Sequence, residues 1–514
     1  YASMYAWNLW ERATVVIDER LVALTTRLGL VERVEQEDFQ AHLTLVRTHR
    51  EQFQQSMISV MWGALLGVQV LVTIAILVLV APLLLLLPLF SAAPILASRW
   101  AEARIEAARR ASVADTRTAD GFALLALDAT AAGELRVLQL RDLVLSRHEA
   151  AWNRMIDRLW RAELLATGVT VAGLALFTAG FAGSVLYVTQ RSLDGATSLG
   201  SVILVLTAGQ QLHSQIGGVL SNAGALFRIV DTTRHLAWLR RFVEAHEERG
   251  VRTPPATLRD GIRLESVSFR YATARRNAVD DVSVRLPAGA VVAIVGENGA
   301  GKSTLVSLLC GLHSPTSGRI SVDGGDLTDL DAVSWRGSVS AAFQEFVRYQ
   351  LVAQDVVGLG RPERVDDLEM VRGALKRADV ADLEDELPDG LRTPLGRAFL
   401  DGVDLSGGQW QKLALARSMM RDKPLLLILD EPTYSLDVES ERRVFDWFSR
   451  VAATDSTVGS VTVIVSHRFS TVRAADIVLV MADGRLVESG THAELLAIGG
   501  AYATMYQTQA QGYQ

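Results

Sequence analysis

Apolar residues are concentrated in the first part of the chain, where residues 52–98, 164–190 and 195–227 contain no Asp, Glu, Lys or Arg. One membrane-spanning helix needs about 20 apolar residues. The first stretch is therefore long enough for two spans, with a hairpin at Val80-Ala81-Pro82 because proline cannot continue helical hydrogen bonding. A helix in a soluble core would carry a polar stripe, which these stretches lack. The pattern predicts membrane spans near residues 59–80, 82–98, 164–188 and 198–220.

Arginine positions predict the orientation of these spans. Arg99 and Arg104 follow the second span, and Arg154 and Arg158 precede the third. Since cations beside spans accumulate on the cytoplasmic side, we expect those ends in the cytoplasm and the short connection at residues 190–199 outside. The part of the chain after the fourth span is then cytoplasmic as well.

Residues 99–161 alternate arginines and acids with Ala and Leu, a pattern typical of two long helices that project from the membrane. A break near Asp120-Gly121 or Ala132-Gly133 would allow a short crosspiece at the tip. Residues 11–51 have the same character, with a turn expected at Leu28-Gly29.

A different pattern begins near residue 261. Short β-branched runs such as Val291–Val295 alternate with helical patterns, which predicts an α/β sheet domain. Pro254-Pro255, within a charged and polar segment, marks a linker before it. We therefore predict an all-α transmembrane domain at residues 1–240, a linker at 241–260 and an α/β phosphate-loop nucleotide-binding domain at 261–514.

Composition narrows the function classes. The net charge of −7 argues against a nucleic-acid partner, which requires a clustered basic surface. The single cysteine, Cys310, excludes an intramolecular disulfide, a zinc cluster and a Cys-x-x-Cys redox pair. Its position just after a predicted strand-to-helix turn favours packing in the core.

Residues 296–303, Gly-Glu-Asn-Gly-Ala-Gly-Lys-Ser, match the phosphate-binding pattern Gly-x-x-x-x-Gly-Lys-Ser. An apolar strand pattern precedes the loop and a helix pattern follows it, as such a loop requires. Its glycines allow backbone N–H groups to turn toward phosphate oxygens at a helix N-terminus. We expect Lys302 at the β- and γ-phosphates of ATP and the Ser303 hydroxyl on Mg²⁺. The predicted nucleotide-binding residues of the loop are Gly296, Asn298, Gly299, Gly301, Lys302, Ser303 and Thr304.

Five apolar residues at 425–429 are followed by Asp430 and Glu431. The run predicts a buried parallel strand, and an acid at its carboxyl end lies beside the phosphate loop. Asp430 is the expected metal ligand, and Glu431 is placed to act as general base on a water molecule. A structural helix cap is the alternative, which two acids after five apolar residues disfavour.

Leu405-Ser406-Gly407-Gly408-Gln409 resembles the signature motif of ATP-binding-cassette proteins, which other phosphate-loop ATPases lack. It precedes the acidic strand, as in that family. The resemblance implies that this motif contacts the γ-phosphate held by the phosphate loop of a second subunit, so that the working ATPase is a dimer. The nucleotide-binding residues implied in the motif are Ser406, Gly407, Gly408 and Gln409.

The same resemblance implies roles for four more residues. Tyr271 corresponds to the aromatic residue that stacks on adenine, and Gln344 to the glutamine that links Mg²⁺ and water to the membrane domain. Asp437 corresponds to the D-loop aspartate, and His467 to the switch histidine at the γ-phosphate. A single Tyr or His in a sequence is more often a structural residue of the core than a nucleotide-binding or catalytic residue. Here the order and spacing of all the motifs favour nucleotide-binding and catalytic roles. The expected catalytic residues are thus Glu431, Gln344 and His467, and the expected Mg²⁺ ligands are Ser303, Gln344 and Asp430.

The D-loop departs from the family pattern at Tyr434, where a serine is common, and this residue is expected to alter communication between subunits. No catalytic motif is degenerate, which favours a homodimer. An inactive cassette that only binds a partner is disfavoured for the same reason.

Spans fused ahead of the cassette on one chain resemble an exporter half-transporter of the cytoplasmic membrane. Such a half normally has six spans, so two are expected before Tyr1, and the uncharged segment Tyr1–Trp10 is interpreted as the end of an earlier span. A true four-span protein is the alternative. Glu35–Phe39 and Gly133–Leu138 resemble the two cytoplasmic crosspieces of the family and are expected to contact the cassette near Gln344.

The cargo is the least determined feature. Residues 395–399 and 410–412 resemble bacterial exporters of ribosomally made peptides such as lantibiotics, so peptide export by alternating access is the favoured function. A lipid or drug exporter is the alternative. A soluble cassette ATPase of translation or DNA repair is disfavoured by the predicted membrane spans.

Polar residues in the last predicted span indicate either hydrogen bonds between helices or contacts with substrate. They are Gln210, Gln211, His213, Ser214, Gln215 and Asn222.

Overall fold

The computed structural model describes residues 15–512 except 17, 129–130, 248–249, 432–458, 467 and 469–471; at 48–61, 213, 220–221, 223–228 and 509–512 it describes the backbone alone. The chain divides into two compact units. Residues 43–238 form most of the first unit, and residues 19–42 together with residues 239 onward form the second.

Helices make up nearly all of residues 31–246. Their bounds are Val31–Val34 (α1), Glu37–Val80 (α2), Leu87–Ala111 (α3), Val113–Leu127 (α4), Ala132–Val137 (α5), Arg141–Leu193 (α6) and Leu199–His246 (α7). Residues 18–27 are also helical. A short 3-10 helix at Pro82–Leu86 separates α2 from α3, so the break in the helix predicted at Val80-Ala81-Pro82 is confirmed.

Three helices in the described part of the chain are long and apolar enough to cross a membrane: Trp62–Val80, Pro82–Ala111 and Arg141–Leu193. The second and third of these helices contain the predicted spans 82–98 and 164–188, and the first overlaps the predicted span 59–80 from residue 62 onward. The fourth predicted span, near 198–220, lies within α7, where the structure describes some residues by their backbone alone, and it stays a prediction.

The tip of the α3–α6 region differs in part from the prediction. The break at Asp120-Gly121 is wrong, because α4 runs through both residues; a glycine inside a helix costs only about 1 kcal/mol. The alternative position is confirmed, since the short helix α5 begins at Ala132 and contains Gly133. The turn at Leu28-Gly29 is confirmed by the non-helical residues 28–30.

The first crosspiece lies earlier than predicted. The short helix is α1, Val31–Val34, whereas Glu37–Phe39 already belong to α2. The backbone N–H of Val31 donates to the carbonyl of Leu312 at 3.0 Å, so this crosspiece contacts the cassette at Leu312; the expected contact near Gln344 stays a prediction. Both residues belong to the second unit.

Small residues and an ion-pair cluster join the helices of the first unit. A Cβ atom at Gly173 of α6 would lie 2.9 Å from Ala97 Cβ and Pro94 Cα of α3, so the two backbones approach closely there. Asp115 of α4 pairs with Arg154 at 2.9 Å and with Arg158 at 2.6 Å, both on α6. These contacts fix α3 and α4 against α6.

One of the polar residues predicted in the last span has a partner on another helix. The hydroxyl of Thr73 on α2 donates to the side-chain oxygen of Gln215 on α7 at 3.1 Å. For Gln215, the structure therefore shows the first of the two predicted roles, a hydrogen bond between helices. Gln210, Gln211 and Ser214 are exposed on α7.

The cassette contains two sheets. Its strands are Gly261–Phe269 (β1), Val279–Pro287 (β2), Val291–Gly296 (β3), Ser317–Val322 (β4), Gly325–Asp326 (β5), Val339–Ala342 (β6), Leu426–Asp430 (β7), Val461–Val465 (β8), Ile477–Ala482 (β9) and Arg485–Gly490 (β10). An antiparallel sheet has the order β2-β1-β4-β5, and the larger sheet has the order β10-β9-β3-β8-β7-β6. In the larger sheet, β9, β3, β8, β7 and β6 are parallel, and β10 is an antiparallel edge.

Both faces of the larger sheet are covered, which explains why its strands have continuous apolar sequences. Val291, Ala293 and Val295 of β3 pack into one core, and Val292 and Ile294 pack into the other, because successive side chains of a strand point to opposite faces. The helices of the described cassette are Lys302–Leu309 (α8), Ala332–Gly337 (α9), Ala353–Gly358 (α10), Leu368–Arg377 (α11), Leu383–Glu386 (α12), Gly407–Ser418 (α13), His492–Ile498 (α14) and Ala501–Gly512 (α15).

The helix α7 continues to His246, six residues into the predicted linker. Leu239 and Val243 are buried there, so apolar packing extends the helix beyond the point at which the sequence becomes polar. The domain boundaries themselves stay a prediction.

Candidate active site

The phosphate loop connects β3 to α8, and two of its glycines are required by the backbone. Gly296 has φ +153 and Gly301 has φ +93. A Cβ atom at either position would lie 2.2 Å from a carbonyl oxygen, that of Met481 or of Ala278. No residue with a side chain fits these positions. Asn298 and Gly299 are exposed at the outer part of the loop.

Lys302, the first residue of α8, is buried beneath this loop. Its ammonium group donates to the carbonyl oxygens of Gly296 at 2.8 Å and Glu297 at 2.9 Å. Burial lowers the pKa of Lys302, and the negative charges of Glu431 and Asp430 oppose that shift. An ammonium group has three donors, so one remains for a phosphate oxygen.

The structure brings Tyr271 to the end of the phosphate loop. Its hydroxyl group lies 3.2 Å from the hydroxyl of Thr304. Its ring packs edge-on against Phe269, with centroids 5.0 Å apart, and against His313 at 5.6 Å. Ser303 is exposed beside it. An aromatic side chain fixed at this end of the loop is suited to stacking on a base.

Asp430 is the last residue of β7 and Glu431 follows it; β7 is two strands away from β3 in the same sheet. Asp430 is buried. Glu431 has φ +48, and its backbone N–H donates to the carbonyl of Val465 at 3.0 Å. Positive φ is uncommon for a residue other than glycine, and a strained residue of this kind persists only where its neighbours hold it.

Gln344 follows β6, the neighbour of β7, and contacts the expected catalytic base. Its side-chain N–H donates to a carboxylate oxygen of Glu431 at 2.7 Å. The side chain of Gln411, on the signature helix, donates to the backbone carbonyl of Glu431 at 3.3 Å. Gln411 is a site residue that no sequence motif predicted; its position two residues after the signature motif is the one signal that points to it.

The signature residues form the N-terminus of α13. Ser406 accepts a hydrogen bond from the N–H of Gln409 at 3.2 Å, and the Gln409 side chain accepts one from the N–H of Ser406 at 3.0 Å, a capping box. Gln409 also donates to Glu386 at 3.0 Å. Ser406 and Gly407 are exposed, so the helix N-terminus is open to a ligand, and Gly408 is half-buried behind them.

Not all predicted residues lie in the described part of the chain. Asp437 and His467, like Tyr434, fall outside the described residues, and their roles stay predictions. Of the remaining set, the structure brings Tyr271 to the phosphate loop and Gln344 to Glu431.

The expected metal ligands have the chemistry of a magnesium site. Ser303, Asp430 and Gln344 would supply hydroxyl, carboxylate and amide oxygen atoms. Mg²⁺ prefers such hard oxygen donors, and in nucleotide hydrolases it takes one or two carboxylates together with phosphate oxygens. The donor set therefore fits Mg²⁺.

Comparison with known proteins found similarity to transporters. Residues 279–434 match the family model described as "ABC transporter". The chain is 37% identical over 298 residues to the ATP-dependent lipid A-core flippase of Bordetella avium (strain 197N), covering 58% of this chain and 47% of that protein. It is 33% identical over 359 residues to the protein of the same name from Methylococcus capsulatus (strain ATCC 33009 / NCIMB 11132 / Bath), covering 68% and 56%. The chain thus spans about half the length of the curated relatives it matches.

A solved structure has the same fold. It is described as a bacterial Atm1-family ABC exporter with ATP bound, and it matches with a TM-score of 0.78 and 24% identity over 98% of this chain and 86% of that chain. The predicted fold class is confirmed: the chain has the ABC exporter fold, a helical membrane region followed by an α/β nucleotide-binding domain.

Proposed function

We propose that this chain, which has the fold of an ABC exporter, is one half of an ATP-driven exporter that moves a lipid-like amphiphile across the cytoplasmic membrane of a bacterium. The observation that carries the enzymatic part is the hydrogen bond of 2.7 Å between Gln344 and the carboxylate of Glu431, at the end of a strand in the sheet that bears the phosphate loop. The active ATPase is a dimer of two copies. Each chain has one phosphate loop and one signature helix, and each ATP lies between the loop of one copy and the helix of the other.

The nucleotide is bound by side chains from several elements. Tyr271 stacks on adenine, while the loop amides and Lys302 bind the phosphates. Ser303, Asp430 and Gln344 would hold Mg²⁺, which neutralises phosphate charge when bound. Burial of the Lys302 ammonium among carbonyl oxygens, at 2.8 and 2.9 Å, positions it before the nucleotide arrives.

Glu431 acts as the general base. Its backbone is fixed by Val465 and its carboxylate by Gln344, so the oxygen that accepts a proton is oriented in advance. Gln344 is also an expected ligand of the Mg²⁺ that accompanies ATP. Binding of the nucleotide would therefore fix the same side chain that orients the carboxylate of Glu431. His467 and Asp437 complete the proposed site.

Transport follows the closure of two cassettes on ATP, in an alternating-access cycle. ATP bound between the phosphate loop of one copy and the signature helix of the other holds the cassettes together. Hydrolysis and release of phosphate then separate them. The long helices α2, α6 and α7 are the proposed route by which closure reaches the membrane spans.

The cargo assignment rests on the relatives named above, which are lipid A-core flippases by name. The residues that suggested a peptide exporter, 395–399 and 410–412, lie in the cassette and not in the predicted spans, so their resemblance concerns the ATPase rather than a cargo site. Trp410 and Leu395 are buried in the cassette core, whereas Arg397 and Phe399 are exposed. Peptide export is therefore the second candidate.

Reconstitution tests this proposal. The full-length protein is placed in lipid nanodiscs, and ATP hydrolysis is measured with lipid A-core, with a phospholipid of matched acyl composition, and with precursor peptides. We expect stimulation by lipid A-core. Stimulation by a peptide alone would favour the second candidate, and indifference to every amphiphile and peptide would contradict coupled export.

Glu431→Gln tests the catalytic base. Loss of the proton acceptor should lower kcat by about 10²–10⁴-fold and leave ATP binding intact, because the amide retains the size of the carboxylate. Hydrolysis and equilibrium nucleotide binding are the measurements. Glu369→Gln, at an exposed carboxylate on α11, makes the same charge change and should behave like the wild type; equal hydrolysis by both variants would remove Glu431 as the base.

A further inference from the structure

The chain just before the signature helix forms a closed loop, residues 396–403, which we name the pre-signature loop. The N–H of Gly396 donates to the carbonyl of Val403 at 2.9 Å, so the two ends of the loop meet. A Cβ atom at Gly402 would clash with the carbonyl oxygen of Gly396, so the closure leaves no room for a side chain there. Ser406 of the signature motif follows shortly after this loop, and the position of the loop therefore affects that of the motif.

A second segment connects the proposed active site to this loop. The glutamine segment, residues 344–351, begins at Gln344, whose side chain contacts Glu431. At its other end, the carbonyl of Leu351 accepts a hydrogen bond of 2.9 Å from the N–H of Leu395, the residue before the pre-signature loop. One short stretch of chain thus runs from the expected catalytic base to the start of the loop.

The glutamine segment is itself fixed to the body of the cassette. Phe346 packs against the core that contains Trp410 and Leu413 of the signature helix. The guanidinium group of Arg417, on the same helix, lies over the ring of Tyr349, 5.0 Å from its centroid. The segment therefore has a defined position from which one of its side chains can hold the loop.

The side chain of Gln350 reaches from the glutamine segment to the pre-signature loop. Its Oε1 atom accepts a hydrogen bond of 2.7 Å from the backbone N–H of Ala398. Because the partner is a donor, the oxygen and not the nitrogen of the amide must face it. Gly396 has φ +91, and a Cβ atom there would lie 2.5 Å from Cγ of Gln350. Both the acceptor and the missing side chain at Gly396 thus fit Gln350 in this place.

The outer part of the loop has few other contacts. The side chains of residues 397–401 are exposed, and Arg397 pairs with Asp404 at 2.9 Å, within the same stretch of chain. Among the residues that the structure describes, Gln350 supplies the one hydrogen bond that reaches residues 397–401 from outside 396–404. Without it, the outer part of the loop would be held through its own ends alone.

We propose that Gln350 is a positioning residue for the signature motif. It holds the pre-signature loop against the glutamine segment and so fixes Ser406 for the ATP that the second copy binds. The proposal rests on the proposed function, because the signature motif acts on ATP only in the proposed dimer. Since the glutamine segment begins at Gln344, it connects the catalytic base of one ATP site with the signature motif of the other.

Hydrogen exchange tests the hydrogen bond itself. Exchange of residues 396–405 is measured for the full-length protein in nanodiscs without nucleotide. Gln350→Met keeps the length of the side chain but lacks the acceptor, whereas Gln350→Glu keeps an acceptor oxygen. We expect exchange at least about twofold faster in Gln350→Met, the effect of losing one neutral hydrogen bond, and wild-type exchange in Gln350→Glu. Unchanged exchange in Gln350→Met would overturn the proposal.

Hydrolysis and ATP binding test the consequence. Gln350→Met should lower kcat about two- to tenfold, and Gln350→Glu should restore it. ATP binding without Mg²⁺ should stay the same in both, because Tyr271 and Lys302 lie on other elements. The matched control, Gln354→Met, removes a hydrogen bond of the same kind, from a glutamine side chain to the carbonyl of Val365 at 3.2 Å, and should hydrolyse ATP like the wild type. Equal loss of kcat in both methionine variants, or weaker ATP binding in Gln350→Met, would indicate general destabilisation and overturn the proposal.

Mixed dimers separate this proposal from the proposed function. One chain carries Lys302→Ala, so that the remaining phosphate loop belongs to its partner, and Gln350→Met is placed in either chain. We expect vanadate-trapped nucleotide to fall about two- to tenfold when Gln350→Met stands in the Lys302→Ala chain, which supplies the signature helix, and to stay level when it stands in the partner. Equal loss from both placements would overturn the role of Gln350.

Two other outcomes concern the proposed function. Loss of trapping only when Gln350→Met stands beside the intact phosphate loop would place both halves of the ATP site in one chain. Absence of trapping in the mixed dimer that lacks Gln350→Met would contradict one working site per pair. In either case the shared ATP site fails, whereas hydrogen exchange of residues 396–405 and kcat of the homodimer decide separately whether Gln350 positions the loop.

Discussion

At the end of β7, Glu431 has a backbone angle of φ +48 that few residues other than glycine adopt. Such a conformation persists only when neighbours hold it. Here the carbonyl of Val465 holds the backbone and the amide of Gln344 holds the carboxylate. The sequence motif identifies the acid, but the strained angle and the glutamine contact appear only in the folded chain.

Gln344→Glu tests how the glutamine positions the base. It places a second carboxylate at hydrogen-bond distance from Glu431, and two such groups cannot both ionise easily. At pH 8 we expect kcat to fall by about tenfold or more, the effect of losing a hydrogen bond to a charged group. As pH falls toward 6, one carboxyl group gains a proton and can donate again, so activity relative to the wild type should rise.

The control for this variant is Gln344→Ala, which has no group to protonate. Its activity relative to the wild type should stay level between pH 6 and 8 while its kcat is also reduced. Parallel pH profiles for the two variants would contradict a direct role of the Gln344 side chain at Glu431.

Cys310 shows how a residue assigned to the core by sequence can be tested chemically. It is 3% exposed, and burial raises the pKa of its thiol to about 12, from an ordinary value of 9.0. The thiolate is the reactive form. At pH 8 we therefore expect maleimide labelling at least about 100-fold slower than in the unfolded protein. Because Cys310 is the only cysteine, mass spectrometry after timed labelling measures it directly, and fast labelling of folded protein would show that the thiol is accessible.

At the scale of elements, charge-free stretches predicted the positions of three helices that are long and apolar enough to cross a membrane, but not the ends of those helices. The helix α6 runs from Arg141 to Leu193 without interruption, because the charged residues before its apolar part are equally good helix formers. The helices do end at Ser112 and at Asp128, but neither position has a proline or glycine that would predict the end of a helix. Such breaks depend on tertiary packing, and a single sequence does not reveal them.

The contact between α3 and α6 depends on Gly173. In Gly173→Ala the new Cβ would lie 2.9 Å from Pro94 Cα and 3.2 Å from the carbonyl of Ala93. Because backbone atoms cannot move aside, the helices must separate, and we expect a loss of about 1–3 kcal/mol in stability. Gly168→Ala on the same helix is the control, since its Cβ would meet nothing within 4 Å. Thermal midpoints in detergent measure both; equal midpoints would contradict close packing at Gly173.

At the scale of the whole molecule, each chain contains half of each proposed ATP site. The contacts described for Ser406 are those of its own capping box with Gln409, while its hydroxyl and the N-terminus of α13 remain exposed. Lys302, in contrast, is buried in the phosphate loop of the same chain. The resemblance of the signature motif to its family already implied a site shared between two chains; the structure adds that Ser406 is exposed while Lys302 is buried, and the shared site stays a proposal.

Mixed dimers decide whether the site is shared between chains. In one mixed dimer, Lys302→Ala stands in one chain and Ser406→Arg in the other; in the second, both substitutions stand in one chain and the partner is wild type. If each site combines the phosphate loop of one chain with the signature helix of the other, the first dimer retains one intact site and the second retains none. Isolating each dimer with two different affinity tags removes the wild-type pairs, so vanadate-trapped nucleotide can be counted per dimer. We expect trapping in the first dimer and not in the second, and the opposite result would place both halves of the site in one chain.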